Sequence, residues 1–119
     1  MENFIEFKEA FLQEAISKYA GEWQIQRVKA CDSWEELQQV IIDDIRWLLR
    51  NKFKIPDGQY KSSKLEFTIV NGLLHGEYKR WYEDGKLWEH KHYENGELHG
   101  EFRAWHEDGL LFMLSYFEN

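Results

Sequence analysis

Two patterns of apolar residues divide the chain. Over residues 3–20, Phe4, Phe7, Phe11, Ala15 and Tyr19 recur at helical spacing, with Ile5, Leu12 and Ile16 widening the stripe. That spacing predicts a helix with one apolar face. Asn3 and Glu6 stand as its N-cap and third residue, and Gly21 as a left-handed stop. A second helix is predicted over residues 34–50, striped by Trp34, Leu37, Ile41, Ile45 and Leu48 and broadened by Val40, Trp47 and Leu49. Ser33 and Glu36 form its capping box, Asp43, Asp44, Arg46 and Arg50 stay outside, and Asn51 ends it. Between the helices, Trp23, Ile25 and Arg27 alternate with Gln24, Gln26 and Val28, which reads as a strand over residues 22–30.

From Pro56 onward the pattern changes. Seven of the eight glycines and 12 of the 20 aromatic residues lie in residues 57–119, the signature of short strands and tight turns. Residues 71–94 and 95–118 align without gaps, and 12 of the 24 positions are identical. Each copy is one hairpin plus a connection: residues 77–82 and 87–93 predict strands, Asp84-Gly85 and Asp108-Gly109 close hairpins, and Asn95-Gly96 turns between copies. Gly72, Gly76, Gly85, Gly96, Gly100 and Gly109 are thereby the structural turn positions. Gly58-Gln59-Tyr60-Lys61 echoes Gly76-Glu77-Tyr78-Lys79, so a shortened copy precedes the two. The fold class expected is α+β: two N-terminal helices packed on an antiparallel β-meander of about six strands. Residues 1–56 form the helical region and residues 57–119 the repeat meander of one compact domain.

The repeat resembles a known family. Asn71-Gly72-Leu73-Leu74-His75-Gly76-Glu77-Tyr78 with Trp81-Tyr82-Glu83-Asp84-Gly85 is similar to a degenerate MORN repeat, as is Asn95-Gly96-Glu97-Leu98-His99-Gly100-Glu101-Phe102 with Trp105-His106-Glu107-Asp108-Gly109. The resemblance covers residues 57–119. It implies scaffolding, dimerising or lipid-proximal modules, and is similar to repeats of antitoxin-like bacterial proteins and of large DNA viruses of amoebae. Nothing in residues 1–56 resembles a family.

Charge narrows the partners. The chain carries 22 acidic and 15 basic residues, a formal net charge of −7, which is −3 over residues 1–58 and −4 over residues 59–119. Neither half is a basic platform, so nucleic acid and anionic membrane surfaces are disfavoured. No apolar run is long enough to span a bilayer, and the acidic N-terminus does not read as a signal peptide. A lone Cys31 suits a reducing, cytoplasmic setting, which the viral resemblance extends to a host cytoplasm.

All five histidines lie in the repeats. His90 and His92 are two apart on a predicted strand, share a face and are weak candidates for a metal site. The second copy has Leu114 and Tyr116 there, so no metal and no cofactor is expected. His75 and His99, beside a turn glycine, read as turn or packing positions, and Glu83-Asp84 and Glu107-Asp108 as turn chemistry. Trp81, Trp88 and Trp105 read as cross-strand packing rather than base-stacking, because acidic residues interleave the basic ones. No nucleophile elbow, phosphate loop or Cys–His pairing is visible, so no catalytic residue is expected.

The last predicted strand differs from its counterpart. Leu111, Met113 and Phe117 point one way and Phe112, Leu114 and Tyr116 the other, whereas the first copy keeps Glu89, His90, Lys91 and His92 as a polar centre. With no further repeat after Asn119, this strand needs a cover. The helices are expected to cover one face and a second copy the other face or the edge. The function expected is a non-enzymatic protein–protein interaction module that self-associates as a homodimer. The alternatives are a small enzyme with a site between helices and sheet, and a lipid-proximal adaptor.

Overall fold

The computed structural model describes residues 3–18 and 20–118. The chain is α+β, and the described residues form four helices followed by an open antiparallel sheet. It divides into two compact units, residues 1–54 and 55–119.

The first unit holds α1 (Phe4–Ser17), α2 (Glu22–Lys29), α3 (Trp34–Asp43) and α4 (Ile45–Arg50). Asn3 caps α1, its Oδ1 accepting from the Glu6 amide at 2.8 Å, and α1 buries Phe7, Phe11, Leu12 and Ala15 as its stripe requires. Tyr19, placed on that stripe by the sequence, lies outside the described residues. The helix stops at Ser17, before Gly21, whose φ of −63° is not left-handed.

Residues 22–30 are not a strand. Gly21 instead begins α2, where its amide donates to Gln24 Oε1 at 2.9 Å. The alternation read there is a by-product of a short window. Gln24, Ile25 and Val28 form the inward side at helical spacing, and Trp23, which the strand pattern would bury, is 68% exposed. Lys8 reaches across from α1 and donates to the carbonyls of Lys29 and Cys31 at 2.8 and 2.7 Å, satisfying groups at the end of α2.

The predicted second helix is broken. Asp44 sits between α3 and α4 with φ −107° and ψ 14°. The apolar stripe continues through the break: Leu37, Val40, Ile41, Ile42, Ile45 and Leu48 are all buried. Ser33 caps α3 through the Glu36 amide at 3.2 Å, as its spacing predicts. After Asn51, Lys52 takes the left-handed turn at φ 56° and returns Phe53 to the core, where it lies 5.4 Å from Phe11 and 5.1 Å from Trp47 between ring centroids. Trp34 closes the other end against Phe4 and Phe7, at 5.7 and 5.2 Å.

The second unit is a sheet of β1 (Gly58–Lys61), β2 (Leu65–Val70), β3 (Leu73–Leu74), β4 (Gly76–Trp81), β5 (Leu87–Glu94), β6 (Glu97–Trp105) and β7 (Leu111–Phe117). The order is β1-β2-β4-β5-β6-β7, with β3 also paired to β2. The sheet does not close, so β1 and β7 are its edges.

Two kinds of turn set its register. At Asn71-Gly72 and Asn95-Gly96 both residues have positive φ (53° and 78°, 51° and 87°), the backbone a two-residue hairpin turn needs. At the Asp-Gly turns only the glycine does, at 90° for Gly85 and 92° for Gly109. There the Gly85 amide donates to the Tyr82 carbonyl at 3.0 Å and the Lys86 amide to Asp84 Oδ1 at 2.9 Å. The second copy repeats both bonds, Gly109 to His106 and Leu110 to Asp108 Oδ1, each at 2.9 Å. The repeated aspartate is therefore a backbone acceptor that fixes the turn. Gly76 and Gly100 also have positive φ, at 88° and 81°.

Candidate functional site

The pairing Tyr60↔Phe67, Leu65↔Arg80, Tyr78↔Lys91, Lys91↔Phe102 and Phe102↔Ser115 threads one face of the sheet from edge to edge. Tyr60, Phe67 and Tyr78 are buried on it, with ring centroids 5.1 and 6.3 Å apart. Lys91 occupies the next slot. It is only 8% exposed, and its Nζ lies 4.7 Å from the Tyr78 ring and 5.1 Å from the Phe102 ring. Such a cation between aromatic faces is electrostatically favourable. Glu89 shares this face, 4.0 Å from Lys91 and 3.7 Å from Arg80. The polar centre assigned to the first copy is thus split. Lys91 and Glu89 belong to the aromatic face, and only His90 and His92 stand on the opposite one, because successive strand residues alternate.

On that opposite face the register sets Glu77 directly across from His92 and Lys79 across from His90. One ligand atom from each of Glu77, His90 and His92 lies within 4.8 Å of the others. His90 Nε2 is 3.4 Å from Glu77 Oε1, and the two imidazole centroids are 5.2 Å apart. Slight burial pushes the Glu77 carboxyl up, but the Lys79 ammonium at 3.5 Å and His90 outweigh it and hold it below the usual range. Beside the histidines is an open hollow of about 380 Å³ lined by Leu87, His90, His92, Glu101, Arg103 and Trp105. Arg103 is paired with Glu101 at 3.2 Å. The sequence marked His90 and His92 but not Glu77. The signal for Glu77 was the hairpin register, which the Asp84-Gly85 turn fixes.

The other marked residues go elsewhere. His75 Nδ1 accepts from the Asn95 amide at 3.5 Å and His99 Nε2 lies 3.5 Å from Glu94, both beside inter-copy turns. Trp88 stacks on Tyr82 at 5.0 Å beneath the Arg80 guanidinium at 4.2 Å. Cys31 is buried, its Sγ donating to the Arg27 carbonyl at 3.3 Å, and burial raises its pKa away from thiolate chemistry. Of the two aspartates placed outside the stripe, Asp43 is exposed and Asp44 is half-buried. Asp43 accepts from Arg27 and Gln39, each at 2.9 Å, while half-buried Asp44 lines a small apolar cavity with Phe11, Val28 and Trp47.

Among the described residues, half of the exposed large hydrophobic side chains stand on β7. Leu111, Phe112, Met113, Leu114, Tyr116 and Phe117 are between 38% and 66% exposed, so both faces of the strand are open. Among the described residues no helix is long and apolar enough to cross a membrane.

The fold and its surfaces define an α+β chain whose second half is an open sheet of repeated hairpins, with an apolar edge strand and a cluster of two histidines and a carboxylate. No protein-family model, curated protein or solved structure matches the chain.

Proposed function

We propose that the chain is a non-enzymatic protein–protein interaction module, built on MORN-like hairpin repeats, that self-associates through β7. The observation that carries this is the exposure of six large apolar side chains on one edge strand. A strand whose outer edge is unpaired is a template for another strand, and contiguous exposed apolar surface marks association sites.

The favoured occupant is a second copy. β7 reads Leu-Phe-Met-Leu-Ser-Tyr-Phe and carries no charge, so β7 against β7 about a two-fold axis brings no like charges together. The opposite edge is a poorer partner: β1 has four residues and carries Lys61. Antiparallel pairing of two β7 strands continues the sheet across the dimer and gives each exposed side chain a cross-strand neighbour.

Light scattering coupled to size exclusion tests this. The wild type is expected at twice 14.5 kDa and Leu114→Lys at 14.5 kDa with unchanged circular dichroism. A wild-type monomer at roughly tens of micromolar, or a Leu114→Lys protein of unchanged mass, would remove the reading.

A further inference from the structure

We propose that Glu77, His90 and His92 form a binding site for a divalent transition-metal ion of the zinc class on the face of the sheet. Period-two alternation on β5 puts the two imidazoles side by side, and the β4–β5 register brings one carboxylate opposite them. Two nitrogens and one oxygen suit zinc, cobalt or nickel and not calcium or magnesium, which want many oxygens.

The geometry is close to that of a bound ion. Metal–ligand bonds of about 2.0–2.1 Å in a tetrahedron put neighbouring ligand atoms roughly 3.3 Å apart. His90 Nε2 and Glu77 Oε1 already stand at 3.4 Å, and all three ligand atoms fall within 4.8 Å of one another. Small side-chain rotations close the rest. His90 Nε2 is also a buried polar atom that makes no well-aligned hydrogen bond, although it lies 3.4 Å from the carboxylate, and an ion there would satisfy it. Lys79 sits on Glu77 Oε2 at 3.5 Å and leaves Oε1 for the ion. The neighbouring cation Arg103 is neutralised by Glu101 at 3.2 Å.

Three protein ligands leave a tetrahedral ion one open position, and the hollow lined by Trp105 and Leu87 adjoins both histidines. The site is specific to the first full copy. The second has Glu101 where the first has Glu77, but Leu114 and Tyr116 where the first has His90 and His92.

Titration calorimetry with zinc chloride, and the visible spectrum of the cobalt-substituted protein, test the site. The expected result is saturable one-to-one binding and a tetrahedral cobalt spectrum. His90→Asn, His92→Asn and Glu77→Gln should each weaken binding at least about tenfold, since even groups behind the ligands are worth that much. His75→Asn and His106→Asn should leave it unchanged. Histidine acylation of the wild type, mapped by mass spectrometry with and without zinc, covers any variant that fails to fold: His90 and His92 should be protected and His75 and His106 not. No saturable binding, binding that survives both His90→Asn and His92→Asn, or protection that does not distinguish the histidines, overturns the proposal.

Discussion

Gly85→Ala isolates backbone strain from every other cost of a mutation. Gly85 has φ +90°, and a Cβ built there meets nothing within 4 Å. The substitution keeps the amide that donates to Tyr82 and leaves the Asp84–Lys86 bond in place. What remains is the penalty for an L side chain at positive φ, about 1–2 kcal/mol, less about 0.4–1 kcal/mol for the reduced freedom of the unfolded chain. The net is a loss of about 1 kcal/mol, or about 4–8 °C in Tm for a unit the size of residues 55–119. Gly109→Ala should lose the same amount, because its φ is +92° and its surroundings are equally open. Gln38→Ala, at an exposed helical position, should stay within about 0.5 kcal/mol. Scanning calorimetry on the three proteins makes the comparison. A Tm for Gly85→Ala and Gly109→Ala within error of wild type refutes the reasoning. D-alanine placed at residue 85 by semisynthesis should be at least as stable as glycine, because the mirror-image residue prefers that φ.

Two further outcomes rest on titrating groups. Tyr60 is 4% exposed and donates to the Pro56 carbonyl at 2.7 Å; burial first, and Asp57 second, push its hydroxyl up to about 12. A raised folded value means its contribution is intact below the unfolded value of 10.0 and is lost as pH rises toward 12, so wild type should lose roughly 2–3 kcal/mol across that window more than Tyr60→Phe does. Equal alkaline sensitivity of the two proteins in urea melts contradicts this. Burial raises the Asp44 carboxyl above 3.8 despite the opposing pull of Arg27. Its favourable contribution is thus lost as pH rises through the folded value, and Asp44→Asn should raise the urea midpoint at neutral pH with the gain vanishing below 3.8. A lowered midpoint at neutral pH would count against that burial cost.

Local signals decided what repeated or capped. The three-and-four stripe of α1, the Ser33 cap and the Asn-Gly and Asp-Gly turns each depend on neighbours within a few residues, so the sequence alone determined them. The α+β class followed from the change of style near residue 56. The segment where alternation and structure differ, α2, is eight residues long; a window that short holds both periods, and its helix is settled by burial of Val28 and by Lys8 from α1 donating to the carbonyls of Lys29 and Cys31 at its end. Asp44 breaks the second helix where no proline or glycine announces it. Which strand residues face each other is likewise a tertiary fact. Only pairing across β4 and β5 puts Glu77 beside His92 and drops Lys91 into the aromatic slot that Phe67 fills in the first, shortened copy. Alternation along one strand assigns sides, but the neighbours on a side come from another strand. The chemistry of a sheet surface is therefore written in register, which the chain specifies only by folding.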